Sequence, residues 1–266
     1  MRQVSSDKSM LYVIFANRCA REAEAKTEER VCVKTVHAFG LAALRKAFGN
    51  KIEVDDKGDK SYNISIAQFG GEDEKAEVRH NFIKAMDLCK GYLAESVQEV
   101  LNVCDLHAIE YCGYNEADFA ARVIEGLRLS ALQYMRVEFS DMVWLPCKLG
   151  LAVQQYDIVF LDEAGDCNPA RIEIVLKAIK PGGKLVFIGD PRQNVFQFTG
   201  SSADAMDVLQ ARTQADTLPL TMTFRCGKAI VELVKSIVPD YEAAPGNCEG
   251  VVESKTVQQM MAPVDQ

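Results

Sequence analysis

A chain of 266 residues, 48% hydrophobic and 26% charged, has room for one large domain or two smaller ones around a buried core. No apolar run approaches the roughly 18 residues of a membrane span, and residues 1–10 (MRQVSSDKSM) lack the apolar stretch of a signal peptide. An intracellular protein, cytoplasmic or nuclear, with no membrane partner is therefore expected. The formal net charge of −8 argues against wholesale coating of nucleic acid but leaves room for a local basic or aromatic track.

Residues 11–15 (LYVIF) form an apolar, β-prone run, and the Ala-, Glu- and Arg-rich segment from Asn17 to Arg30 predicts a helix. VCVKT (31–35) reads as a second strand and HAFGLAALRKAF (37–48) as a second helix. This alternation marks a parallel α/β sheet. The rhythm breaks between about 55 and 137. There DDKGDKSYN reads as a polar loop, and helical segments are expected near 74–90, 93–103 and 115–135. It resumes with DIVFL (157–161), a helix near 169–179, the turn-forming Pro181-Gly182-Gly183 and the strand-like KLVFIGD (184–190). A helix near 203–212, a short strand near 217–220 and a helix from about 227 complete the reading. The nine cysteines are odd in number and never form a CxxC, which points to reduced thiols. Cys104, His107 and Cys112 are the only grouping that hints at a metal site.

Ligands of open parallel sheets bind beyond the carboxyl ends of strands. Asp162 and Glu163 follow DIVFL there, and Asp190 follows KLVFI. A carboxylate at such an edge can hold hydrated Mg²⁺, and its neighbour can orient or deprotonate a water attacking a nucleotide γ-phosphate. The plainer alternative is a solvated loop leading into a helix cap, because Asn168-Pro169 is a helix-start signature. Gln193 lies three residues beyond Asp190, where an uncharged amide can bond both a phosphate oxygen and a water. Phe196 and Phe198 share a face if the segment is extended, as a base-stacking platform requires. Ordinary core packing would place them equally well.

Taken in order, DEAGD (162–166), GDPRQNVFQFTG (189–200) and LTMTFRCGKAI (220–230) resemble motifs II, III and IV of the superfamily 1 helicases of the UvrD/Rep type. LYVIFANRCAREAEAK (11–26) is similar to motif Ia, KTVHAFGLAALR (34–45) to the T-x-H segment after it, and SDMVWLP (140–146) to the signature before motif II. DEAxDCxPA and FRxG are flavours shared with the F-box DNA helicase group and its phage relatives. The resemblance implies a RecA-like parallel sheet of the P-loop NTPase type with a helical insertion. Residues 1–59 and 138–214 would form the first RecA-like domain, 60–137 the 1B-like insertion and 215–266 the start of the second RecA-like domain. It also implies an ATP- and Mg²⁺-dependent DNA helicase acting on single-stranded DNA, with the remaining part of a helicase or a loading protein as a further partner. Asp162 would bind Mg²⁺, Glu163 activate water, Gln193 sense the γ-phosphate, Arg225 act as an arginine finger and Phe224 stack on the adenine. Asp190 would complete the nucleotide edge, while Phe15, Asn17, His37, Phe196 and Phe198 would line the single-stranded DNA path. His37 acting as a helix cap is the structural alternative for that residue.

Three departures stand against the pattern. Gly165 replaces the family's Gln in motif II, and Thr199 replaces an Arg in motif III. No G-x-x-x-x-G-K-[ST] occurs, since Gly182-Gly183-Lys184 leads into a strand instead of opening a helix. The chain is accordingly expected to be a core segment of such a helicase, inactive in ATP turnover by itself. Two alternatives remain open: a non-catalytic nucleic-acid- or partner-binding remnant, and an S-adenosylmethionine methyltransferase suggested by LKAIKPGGKLVFIG (176–189) alone.

Overall fold

A computed structural model describes residue 5 and residues 7–14, 17–190 and 204–254, the side chains of 17–19 excepted. The chain divides into two compact units, residues 1–214 and 215–266.

In the first unit, four strands form a parallel sheet: β1 (Met10–Ile14), β2 (Val31–Thr35), β5 (Tyr156–Leu161) and β6 (Ile179–Phe187), in the order β2-β1-β5-β6. The period-2 alternation of β1 decides which side chains go where. Leu11 and Val13 enter one core with Val36, Phe39, Val159, Leu161 and Ile174, whereas Met10 and Ile14 pack on the opposite face with Val31 and Val33. Between these strands run α1 (Asn17–Lys26) and α2 (Val36–Phe48). Thr35 ends β2 and also caps α2, its Oγ1 accepting from the Ala38 amide at 3.2 Å, so strand passes into helix without a loop.

Helices dominate residues 55–135, bracketed by a two-residue parallel pair of β3 (Glu53–Val54) and β4 (Arg136–Val137). The helices are α3 (Asp59–Phe69), α4 (Ala76–Tyr92), α5 (Val97–Leu106) and α6 (Glu116–Leu132). They enclose a core of their own around Phe82, Met86, Val100, Phe119 and Val123. α3 occupies much of the segment expected to be a polar loop. Asp55 explains it: its carboxylate accepts from the amides of Lys57, Gly58, Asp59 and Lys60 at 2.7–3.3 Å, satisfying the free donors of a helix start. α5 begins later than expected because Leu93, in the left-handed region, ends α4, and Ser96 with Glu99 then forms a capping box. Cys104 is buried in this core and His107 Nε2 lies 3.1 Å from Tyr92 Oη, and no metal-holding group of three or more ligand side chains occurs among the described residues.

After the insertion come α7 (Phe139–Lys148), α8 (Pro169–Lys177) and, beyond β6, α9 (Ala205–Thr213). α7 crosses α2 so closely that a Cβ on Gly40 would lie 1.9 Å from the Met142 carbonyl oxygen, and only glycine fits there. β6 starts earlier than the expected 184 because Pro181-Gly182-Gly183 forms a bulge inside it. The pairing jumps from Tyr156–Ile179 to Ile158–Lys184.

The second unit contains α10 (Lys228–Val234) between β7 (Met222–Thr223) and β8 (Glu242–Ala243), which pair in parallel. The strand expected at 217–220 is absent; Leu218 and Leu220 are exposed, and pairing begins two residues later. Among the described residues no helix is long and apolar enough to cross a membrane.

Candidate functional site at the carboxyl edge of the sheet

Leu161 and Phe187 are register partners, and they bring the residues after β5 and β6 side by side. The Ile188 amide donates to Leu161 O at 2.9 Å and the Ala164 amide to Ile188 O at 2.8 Å, fastening the DEAGD turn to the end of β6. Asp162, Glu163 and Asp190 thereby share the carboxyl edge of two neighbouring parallel strands. A Cβ on Gly189 would meet the Gly165 nitrogen at 2.9 Å, Met206 Sδ at 3.0 Å and the Ala164 nitrogen at 3.2 Å, so the approach of the two loops requires glycine. At Gly165 a Cβ would sit 3.3 Å from Asp190 O, so a side chain there needs only a small adjustment.

Asp162 is half-buried. Its amide donates to Val13 O at 3.0 Å, its Oδ1 accepts from the Glu163 amide at 3.1 Å and its Oδ2 from Tyr12 Oη at 2.6 Å. Glu163 is exposed and holds φ 50°, ψ 44°, a left-handed conformation costing about 1–3 kcal/mol for a non-glycine residue and concentrated at functional turns. Behind the turn, burial raises the Asp166 carboxyl above its ordinary value against the pull of Arg171, whose own guanidinium is lowered by burial. This donor set fits hydrated Mg²⁺, which keeps most of its waters and takes one or two carboxylates plus phosphate oxygens. It does not fit a cation caged wholly by protein.

A second feature of the same unit is a cleft of about 470 Å³ between α2, α4, α7 and α8, lined by His37, His80, Lys84, Phe139, Asn168 and Arg171 among others. Phe139 is 54% exposed and meets His37 edge-on, ring centroids 5.9 Å apart at 88°. Burial and then the Arg171 charge push the His37 imidazole down to about 4, leaving it neutral. Thr35, not His37, caps α2. Sequence reasoning missed Phe139, Arg171 and Lys84; an aromatic directly before the SDMVWLP signature was the available signal for the first.

Under this cleft lies a buried ionic network that sequence reasoning also missed. Asp141 is fully buried and meets Lys60 Nζ at 2.7 Å and Lys90 Nζ at 2.9 Å, while Ser130 Oγ donates to it at 3.1 Å. Glu138 lies 3.4 Å from Lys90 Nζ and accepts from the Ser61 amide at 2.9 Å. Burial would raise the Asp141 carboxyl, but Lys90 and Lys60 hold it below its ordinary value. Burial likewise opposes the charge on Lys90, yet Asp141, Asp87 and Glu138 keep that ammonium above its ordinary value. For Lys60 burial prevails and its ammonium is lowered.

In the second unit, Phe224 is 81% exposed beside the exposed Arg225, whose amide donates to Thr223 Oγ1 at 3.2 Å. Phe15, Gln193, Phe196, Phe198, Thr199 and the side chain of Asn17 lie outside the described residues.

Residues 2–214 match the model of the UvrD/REP helicase N-terminal domain. The chain belongs to this family. The parallel sheet β2-β1-β5-β6 with its helical segments is consistent with a RecA-like fold, and the family generally uses ATP and Mg²⁺. Relatives include F-box DNA helicase 1 of Gallus gallus, 23% identical over 256 residues covering 88% of this chain and 24% of that protein. The ATP-dependent DNA helicase PcrA of Staphylococcus aureus is 20% identical over 257 residues, 88% of this chain and 34% of the relative. RecBCD enzyme subunit RecB of Mycobacterium tuberculosis is 28% identical over 147 residues, 50% of this chain and 13% of the relative. The UvrD-like chain thus spans about a quarter of the first and a third of the second.

Proposed function

We propose that this UvrD-like chain is a core segment of an ATP-dependent DNA helicase, coupling ATP hydrolysis to movement on single-stranded DNA and duplex unwinding. The observation that carries the reading is the carboxyl edge, where Asp162, Glu163 and Asp190 are fastened together by the Ala164–Ile188 hydrogen bond. In this reading Asp162 holds Mg²⁺, which when bound neutralises phosphate charge. Glu163 takes the proton of the attacking water, Gln193 orients that water against the γ-phosphate, and Asp190 borders the nucleotide. Phe224 stacks on the adenine and Arg225 offsets charge developing on the phosphate, both from residues 215–266 as the start of a second RecA-like domain. Single-stranded DNA lies along Phe15, Asn17, His37, Phe196 and Phe198, with the cleft beside His37 and Phe139 as part of that track and residues 60–137 as the 1B-like insertion.

The sequence contains no G-x-x-x-x-G-K-[ST] phosphate cradle, and phosphoryl transfer needs cradle, metal and oriented water together. The 266-residue chain by itself is therefore expected to show negligible ATP turnover. A polypeptide joining it to a phosphate-binding loop and a complete second domain should show hydrolysis stimulated by single-stranded DNA, and Glu163→Gln should abolish turnover while sparing nucleotide binding. Hydrolysis that survives Glu163→Gln would refute the site. Gly165 and Thr199, which depart from the family's motifs, support a second reading, a binding remnant, favoured if the joined polypeptide binds single-stranded DNA without hydrolysing ATP.

A further inference from the structure

We infer that Tyr12 is a positioning residue for the metal-binding carboxylate, holding Asp162 in the orientation that Mg²⁺ needs; the inference rests on the assignment of Asp162 as the metal ligand. Tyr12 is the middle residue of β1 and the register partner of Phe160 on β5. In-register residues of parallel strands point to one face, and the residue two positions on points the same way. Tyr12, Phe160 and Asp162 therefore share a face of the sheet. The Tyr12 ring packs edge-on against Phe160, centroids 6.4 Å apart at 81°, and this directs its hydroxyl diagonally past Phe160 to Asp162 Oδ2 at 2.6 Å.

That length is typical of a hydroxyl donating to an ionised carboxylate, the stronger class of hydrogen bond. Its chemistry suits the task. A neutral phenol donates one proton and adds no charge that would compete with a cation. The Glu163 amide occupies the other oxygen, so both carboxylate oxygens are held, and each retains a lone pair for a metal or its water. The Asp162 amide is bonded to Val13 O, next to Tyr12, so β1 fixes the main chain and the side chain of Asp162 together. Without the hydroxyl, one of these two restraints would be lost and χ2, a broad torsion, would be held less tightly. Metal affinity would then fall although the fold would not change.

The test uses the ¹⁵N-labelled 266-residue chain with Mn²⁺ alone as probe, read as paramagnetic broadening of the Asp162 and Glu163 amides during a titration, alongside thermal melts. Tyr12→Phe keeps the ring on Phe160 and removes only the hydroxyl. It should weaken Mn²⁺ broadening at these amides about three- to tenfold, roughly 0.7–1.4 kcal/mol on the scale of 1.4 kcal/mol per factor of ten, with a fold that stays intact and a melting temperature lowered by no more than about 10 °C. Phe160→Leu, which alters the ring packing and leaves the hydroxyl, should weaken it less. Asp162→Asn should abolish it. Wild-type-like Mn²⁺ binding in Tyr12→Phe, with Asp162→Asn inactive as expected, overturns the role of Tyr12 alone. Equal losses in Tyr12→Phe and Phe160→Leu overturn it in favour of packing. No broadening in the wild type, or broadening that survives Asp162→Asn, overturns the metal assignment and the inference with it.

Discussion

Asp141→Asn keeps the size of a fully buried side chain and removes the charge that two buried ammonium groups, at 2.7 and 2.9 Å, depend upon. After the change, Glu138 at 3.4 Å from Lys90 is the remaining buried carboxylate of the network, and Lys60 loses the direct partner that Asp141 provides. Breaking a buried pair by removing one partner costs about 3–5 kcal/mol, because a desolvated charge is left uncompensated. For a unit of this size each kcal/mol shifts the midpoint by about 2–4 °C, so a drop of roughly 6–20 °C is expected at pH 7. Trp144, the one tryptophan of the chain, is 2% exposed with Lys90 Nζ 5.8 Å from its ring centre, so its fluorescence reports on the network during a melt. The pH dependence has a definite sign. Asp141 is held below its ordinary value in the folded state, so its contribution is present above about pH 3.9, the unfolded value, and fades as the pH falls through the lower folded value. The gap between wild type and variant should persist from pH 5 to 8 and narrow in acid. A loss under about 1 kcal/mol at pH 7 would refute the assignment of a charged, interdependent network.

Gly189→Ala should destabilise by about 1–3 kcal/mol in urea unfolding, since its Cβ would press on the Gly165 nitrogen at 2.9 Å and Met206 Sδ at 3.0 Å; an unchanged midpoint would show that the two loops are not in such close contact. His37, pushed down to about 4, should still be neutral at pH 5.5 by NMR titration. Because its folded value lies below the unfolded value of about 6.5, its contribution is full above that pH and declines as the pH falls toward 4; a titration midpoint near 6.5 would contradict a half-buried imidazole facing the Arg171 charge.

The strands that carry the site were legible because each contains a short apolar run, with Asp162 directly after the first and Asp190 one glycine after the second. α3 was not legible because it turns the usual pattern around. It buries Lys60, Ser61 and Ser65 beside Ile64 and Phe69 while Tyr62 is 48% exposed, so polar residues interrupt the apolar stripe from which a helix is read. A lysine goes fully inside only when paired, and the partner of Lys60 is 81 residues away on α7. α7 was hidden for a like reason: Asp141 points inward, Phe139 outward, and Pro146 lies within the helix. Tyr12 likewise reaches a partner 150 residues distant, and only the strand register brings the two together.

The position of α7 connects these observations. Its Met142, Trp144 and Leu145 belong to the core of the helical insertion, and Val143 belongs to the core of the sheet. Its carbonyl at Met142 leaves no room for a Cβ at Gly40 of α2, and its Asp141 binds lysines of α3 and α4. The same helix presents Phe139 to the cleft, opposite a His37 whose helix starts on the last residue of β2. Lys90, which lines that cleft, is also the lysine that Asp141 and Glu138 neutralise. The cleft and the buried network therefore meet at Lys90. A substitution that breaks the network disturbs the packing of the insertion and the shape of the cleft together, while the carboxyl edge of β5 and β6 is held by backbone bonds that do not pass through α7. A variant such as Asp141→Asn, examined below its melting temperature, should for this reason perturb amide resonances around His37 and Phe139 more than those of Asp162 and Ala164.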